Sequence, residues 1–329
     1  MKKCCKALLS MALCAAMLCL PALAAAEEDE SDMGPTYLAP LQVCGQATRL
    51  ESGSLFLKSS DKSALHQEII IHLSETTPVV DAVSGLPMDA AEIRDGDTVY
   101  AWVGPAMTMS LPPQTGAAVV VANIPADFAV PQYYEITGGD HTAAIAIYPA
   151  PPRTEVNLPY AGGGKTDFLR IPVTAQISPW LTKQIVTVDD LVPGTRVLVW
   201  RGTDGEVSRV QMLPSVYRGY ILANGAAIDT VVNGETLTVR GKSQYNQVLL
   251  PIRAVAEAAG YQVDWVAGKG AVVSDNGKTV FSVLPGAETA QTADDTYYLT
   301  CPCEKENGVT YLRAADLAHL LDLFLSLDA

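Results

Sequence analysis

The most reactive side chains are those of Cys301 and Cys303, which stand on either side of Pro302 near the C-terminus. Two thiols at this spacing suggest a thiol-redox pair or part of a metal site. A closed zinc site needs four ligands, and these cysteines with nearby His319 supply three. We therefore favour a structural role, in which one of them pairs with Cys44 or the two bridge each other. We predict no metal site, cofactor or catalytic residue.

Two tryptophans occupy the same position in two matching segments of the chain. The segments Ala91–Gly104 and Asp189–Gly202 share acidic and apolar residues, a glycine turn and a strand that ends in Trp102 or Trp200. Exposed tryptophans in such a repeat would be surface-binding aromatics, with carbohydrate as the natural ligand. Apolar residues alternate along the strand before Trp102, which is typical of a strand with two different faces. We therefore favour core packing and keep surface binding as the alternative.

Carboxylates are frequent in the turns that precede these two strands. They are Asp89, Glu92, Asp95, Asp97, Asp189 and Asp190. Several oxygen ligands in one turn suit a weak Ca²⁺ site. Acidic residues in surface turns are also common without a ligand, and we favour this simpler interpretation.

The whole chain is acidic. Its 329 residues include 22 Lys and Arg against 36 Asp and Glu, which gives a formal net charge of −14. Phosphate contacts need clustered Lys and Arg, so this balance argues against a nucleic-acid-binding protein. The length predicts two or three domains, each able to bury a core.

The N-terminus has the pattern of a secretory signal peptide over residues 1–26. Lys2, Lys3 and Lys6 precede an apolar run, and small residues allow cleavage after Ala24 or Ala26. Cleavage would remove three lysines and four of the seven cysteines, so the charge becomes −14 − 3 = −17. Because no later apolar run is long enough to span a membrane, we expect a secreted, extracytoplasmic protein without a transmembrane segment.

The first two thirds of the mature chain are predicted to be all-β. Residues 27–38 form a flexible acidic leader. After it, short apolar segments alternate with Gly, Pro, Asp and Asn, which is a pattern typical of strands separated by turns. The repeat around the two tryptophans divides this part into β module 1, residues 39–126, and β module 2, residues 127–215. Both are expected to be small and barrel-like.

Strand–helix–strand units are predicted from residue 216 to residue 329. Asn233-Gly234 and Asn276-Gly277 are hairpin signals. The strand Val248–Arg253 leads into a helix that stops at Gly260, and a similar strand-to-helix step follows Gly308.

The segment 226–325 resembles the copper amine oxidase N-terminal-like domain, also called the stalk domain. The resemblance lies in the Asn233-Gly234 hairpin, the strand and helix of 247–260 and the strand that ends at Trp265. It implies an α+β domain exposed at the cell envelope. It does not imply oxidase activity, because His66, His72, His141 and His319 include no His-x-His pair and Tyr133-Tyr134-Glu135 lacks the Asn of the quinone motif.

The sequence therefore predicts an α+β protein, mostly β, with two β modules followed by a stalk-like domain. We expect a non-catalytic binding or spacer protein that is secreted or attached to the envelope. Its candidate partners are a cell-wall glycan or another envelope protein. Two alternatives stay open: an extracytoplasmic enzyme with a carboxylate site between the β modules, and a thiol-redox protein that uses Cys301 and Cys303.

Overall fold

The computed structural model describes residues 40–64, 66–138, 155–160, 168–224, 228–244 and 247–328, all within one compact unit. The predicted signal peptide and the predicted leader lie outside these residues. The strands are β1 (Leu41–Arg49), β2 (Leu55–Lys58), β3 (Glu68–His72), β4 (Val79–Asp81), β5 (Thr98–Val103), β6 (Gln114–Ala122), β7 (Gln132–Glu135), β8 (Glu155–Pro159), β9 (Phe168–Pro172), β10 (Gln176–Ser178), β11 (Arg196–Arg201), β12 (Val207–Met212), β13 (Gly219–Asn224), β14 (Thr230–Val232), β15 (Glu235–Thr236), β16 (Lys242–Gln244), β17 (Gln247–Pro251), β18 (Gln262–Val266), β19 (Gly270–Asp275), β20 (Lys278–Val283), β21 (Thr289–Thr292), β22 (Thr296–Tyr298), β23 (Glu304–Glu306), β24 (Val309–Arg313) and β25 (Leu323–Asp328). The helices are α1 (Ile252–Ala258) and α2 (Ala314–Leu320).

The first six strands build a closed barrel with one additional strand. Neighbours run in the order β3-β2-β1-β5-β6, and β3 closes the ring by pairing in parallel with β6, for example His72 with Gly116. Strand β4 pairs with the C-terminal residues of β6, from Val120 to Ala122, also in parallel. Closure leaves five strands without a free edge, and alternate residues such as Val99, Ala101 and Val103 point into the barrel core.

The strands that follow form a second sheet in the order β10-β12-β11-β7, with β8 and β9 as a separate hairpin. This order and its strand directions correspond to β4-β6-β5-β1 in the barrel. The register also shifts at the same place in both, directly after Trp102 in β5 and directly after Trp200 in β11. This correspondence supports the prediction that residues 39–126 and 127–215 are copies of one module.

The barrel and the second sheet share a buried core, and both tryptophans belong to it. Trp102 is 4 % exposed and Trp200 is 7 % exposed, and each lies on the outer face of its strand. Apolar residues of both sheets fill the space around them: Val80, Ala82, Val119, Val121, Leu198 and Leu213. The interpretation as surface-binding aromatics is therefore wrong, because strands β5 and β11 bury both of their faces.

The C-terminal part is α+β and has one continuous core. Three sheets contribute to it, with strand orders β15-β14-β13-β25, β16-β17-β24-β23 and β18-β19-β20-β21-β22. Each helix follows a strand of the second of these sheets directly, α1 after β17 and α2 after β24. In the described ranges, neither helix has the length and hydropathy that a membrane crossing requires.

The predicted hairpins are confirmed in geometry. Asn233 and Gly234 have φ angles of 48° and 86°, and Asn276 and Gly277 have φ angles of 48° and 78°. Positive φ at both central residues is the requirement of a type I′ turn, which Asn-Gly meets at low cost. The dipeptide Asn307-Gly308 does the same between β23 and β24.

Candidate functional site

A disulfide between two of the three cysteines was predicted, but all three are free thiols in the structure. Cys44 lies on β1, and Cys301 and Cys303 lie between β22 and β23. Burial raises the pKa of Cys44, and a hydrogen bond to Tyr100 lowers it in part. Among the described residues, no group of three or more His, Cys, Asp or Glu side chains is arranged to hold a metal ion.

The chemistry of Cys301 and Cys303 does not favour thiol exchange. Burial raises the pKa of Cys301, and the charge of Asp316 raises it further. Burial and the neighbouring Cys301 raise the pKa of Cys303 to about 12. Reactive cysteines depend on a lowered pKa, because the thiolate is the nucleophile. Both thiols are therefore protonated at neutral pH.

The acidic turns bind backbone of the same protein. Asp89 accepts the backbone N–H of Ala91 at 2.8 Å as the first residue of a capping box. Asp95 accepts the N–H of Arg49 at 2.8 Å, and Asp97 accepts that of Arg94 at the same distance. Asp89 and Asp97 therefore satisfy N–H groups of their own turn, as expected for caps, and Asp95 satisfies the N–H at the end of β1. The space between the barrel and the second sheet, the expected place for a carboxylate site, is occupied mainly by the apolar shared core. Tyr133, which packs against this core, donates to the buried carboxylate of Glu135 at 3.3 Å.

A cleft of about 690 Å³ opens on the C-terminal part. Four elements surround it: residues 235–239, helix α1, strand β18 and the turn between β23 and β24. Its volume falls within the roughly 300–1,000 Å³ usual for ligand sites. Because the walls come from segments far apart in sequence, the cleft exists only after the C-terminal core has formed.

Trp265, on β18, is the main aromatic side chain of this cleft. It is 50 % exposed, although Val263 two residues earlier is 6 % exposed on the same face of the strand. The ammonium group of Lys305 lies 4.1 Å from the centroid of the indole ring. Lys305 reaches this position because β23 and β24 pair through the tight Asn307-Gly308 turn. The contact fixes the ring by a cation–π interaction.

Helix α1 supplies the charged wall of the cleft. Its buried residues Ile252, Val255 and Ala256 face the core, so Arg253 and Glu257 lie on the outer face one turn apart. Arg253 Nη1 donates to Glu257 Oε1 at 2.9 Å and to the carbonyl oxygen of Val263 at 2.5 Å. The guanidinium therefore ties the helix to strand β18.

Polar side chains complete the lining. These residues include Glu235, Thr236, Thr238, Asp264 and Thr310. Carboxylates accept hydrogen bonds, and threonine hydroxyls donate and accept them. The cleft thus combines an exposed aromatic ring with several polar residues.

Sequence reasoning identified Trp265 only as part of the family pattern and did not identify Lys305. Strand alternation places Trp265 on the same face as buried Val263, which predicts a core residue. A weak signal was present in Val266, because an apolar residue directly after the tryptophan breaks the alternation. Val266 is indeed 39 % exposed.

A comparison of the whole chain with protein families finds one domain model. No curated protein matches the chain. Residues 231–328 match the copper amine oxidase N-terminal domain, which confirms the resemblance predicted over 226–325. The segment that carries the Trp265 cleft is therefore similar to the copper amine oxidase N-terminal domain.

Proposed function

We propose that this protein is a non-catalytic binding and spacer protein, secreted or attached to the cell envelope. The observation that carries the proposal is the half-exposed Trp265 in a cleft of the family domain. Large aromatic residues in concave sites are common anchors for ligands. The matched model corresponds to the N-terminal domain of the amine oxidases, outside their copper chemistry.

The shared core of the barrel and the second sheet supports the spacer role. Trp200 Nε1 donates to the carbonyl oxygen of Ala82 at 2.7 Å. Arg209 stacks on Trp200, with Cζ 3.9 Å from the ring centroid, and donates to the carbonyl oxygens of Ser84 and Val83. The buried hydrogen bond of Trp200 and the directional contacts of Arg209 hold the two β units together. Such contacts suit a part that sets distance rather than one that moves.

The export half of the proposal rests on the N-terminal sequence. A charged start, an apolar run and small residues before Glu27 form the signal peptide pattern. Expression of the full chain in a secreting bacterial host and intact mass measurement of the protein in the medium and wall fractions test it. We expect a mature start after Ala24 or Ala26, and an uncleaved protein inside the cell would contradict export.

The binding half is tested with the exported protein. Purified bacterial cell walls are incubated with it and sedimented, with an exported protein of similar charge as the control for trapping. We expect retention on the walls that resists moderate salt, since an acidic protein cannot bind an anionic wall by charge alone. No retention on any envelope fraction would contradict the proposed function.

A further inference from the structure

We propose that the Trp265 cleft binds a neutral glycan chain, with one pyranose ring stacked on the indole. This inference rests on the proposed function and names the ligand class of its site. It starts from exposed apolar surface, since Trp265 and Val239, which both line the cleft, are 50 % and 36 % exposed. Contiguous apolar surface within a concave site marks a place where a ligand is bound.

The position of Lys305 favours a flat ligand on the indole. Its ammonium group lies 4.1 Å from the ring centroid and holds one side of the ring. The faces of an aromatic ring carry negative charge density. The C–H groups on one face of a pyranose are weakly positive, so a sugar ring complements the exposed part of the indole.

The charges of the cleft exclude a polyanion as the preferred ligand. The residues that line it include three acidic ones, Glu235, Glu257 and Asp264, and two basic ones, Arg253 and Lys305. Arg253 already pairs with Glu257, and Lys305 already lies over Trp265. Neither cation is left without a partner to attract phosphate, and the chain carries a net charge of −14. Sugar hydroxyls, in contrast, both donate and accept, which suits a lining of carboxylates and threonine hydroxyls.

A peptide added as a further strand fits the site less well. Strand β18 is at the edge of its sheet, so its outer backbone groups are the natural place for such a strand. The carbonyl oxygen of Val263 already accepts from Arg253 at 2.5 Å. Strand addition would have to displace this contact, whereas a sugar stacked on Trp265 leaves it in place.

The test measures binding of the exported full chain to soluble glycans by isothermal titration calorimetry. The probes are chitohexaose and cellohexaose as neutral chains, poly(glycerol phosphate) as a polyanion and an extended apolar peptide. Trp265→Ala should weaken binding of the neutral glycans by about tenfold or more, as for an aromatic anchor. Trp265→Phe should retain part of the affinity.

Tyr298→Ala is the matched control. Tyr298 is 79 % exposed in the same sheet as Trp265 but does not line the cleft. We expect it to bind the glycans as the unmodified protein does, and circular dichroism should show that all variants are folded. Equal loss in both variants would show that general surface apolarity, and not the cleft, determines binding.

The outcomes separate this inference from the proposed function. If the protein sediments with cell walls but binds no neutral glycan, or if Trp265→Ala binds the glycans normally, the ligand class or the site is wrong and the envelope function stands. Preference for poly(glycerol phosphate) or for the peptide would also overturn the inference. Glycan binding without wall retention would support the site and contradict envelope attachment.

Discussion

Trp200 offers the sharpest test of how the two β units are held together. Its side chain is 7 % exposed, and it belongs to the core shared by the barrel and the second sheet. Its indole N–H donates to the carbonyl oxygen of Ala82, which is itself fully buried. Arg209 covers its ring at 3.9 Å. We expect Trp200→Ala to destabilise the protein strongly and Trp200→Phe to do so moderately.

The magnitude follows from the contacts that are lost. Truncation of a buried tryptophan to alanine costs about 3–5 kcal/mol through the cavity that it leaves. Trp200→Phe keeps most of the volume but leaves the carbonyl oxygen of Ala82 without its donor, which costs about 1–3 kcal/mol. The cation–π contact with Arg209 contributes about 1 kcal/mol more and is retained in part by phenylalanine.

Urea unfolding followed by far-ultraviolet circular dichroism measures these changes, because it does not depend on tryptophan fluorescence. Trp265→Ala is the matched control, since it removes the same side chain from a half-exposed position, and it should cost less than about 1 kcal/mol. A loss below about 1 kcal/mol for Trp200→Ala would refute the shared core. A Trp200→Phe variant as stable as the parent would refute the role of the indole hydrogen bond.

Three further predictions concern the C-terminal part. Asp316 is 2 % exposed and accepts from the hydroxyl of Tyr297 and from the N–H and hydroxyl of Thr300, so Asp316→Ala should lower the free energy of unfolding by about 2–4 kcal/mol, measured in urea. The pKa of the Cys303 thiol is raised from 9.0 to about 12 in the fold. Its contribution to stability is therefore complete below pH 9 and is lost as the pH rises towards 12, and Cys303→Ala should flatten that part of the pH–stability curve. At pH 8 without denaturant, Cys303 should react with iodoacetamide more slowly than Cys44 and Cys301. Intact mass of the mature protein should then show three labels only when urea is present. A mass lower by two hydrogens would reveal a disulfide instead.

Local elements could be predicted from the sequence because short-range chemistry determines them. Asn233-Gly234 and Asn276-Gly277 form their hairpins because these residues adopt positive φ readily. Helix α1 appears where apolar residues recur at helical spacing, and it stops before Gly260. The two-faced character of the strand before Trp102 is likewise confirmed, since Val99 and Val103 point into the barrel and Trp102 points out.

The expected cysteine bridge and the alternative of surface-binding tryptophans both depended on partners that the sequence does not show. The cysteine count and the predicted export favoured a bridge, but whether two sulfur atoms can bond depends on how close the fold brings their backbones. Trp102 and Trp200 could be assigned to a strand face but not to what covers that face. A second sheet packed against the barrel decides that they are buried.

The sequence alone therefore determined the β-rich composition, the turns, the strand–helix units and the resemblance of residues 231–328 to the copper amine oxidase N-terminal domain. Each of these depends on residue order over short stretches. The tertiary structure decided the closure of the barrel by β3 and β6, the burial of two tryptophans and the exposure of the third. These depend on contacts between distant segments. Trp265 is the clearest example, because its strand position predicts burial whereas the folded protein leaves its ring half exposed in the cleft.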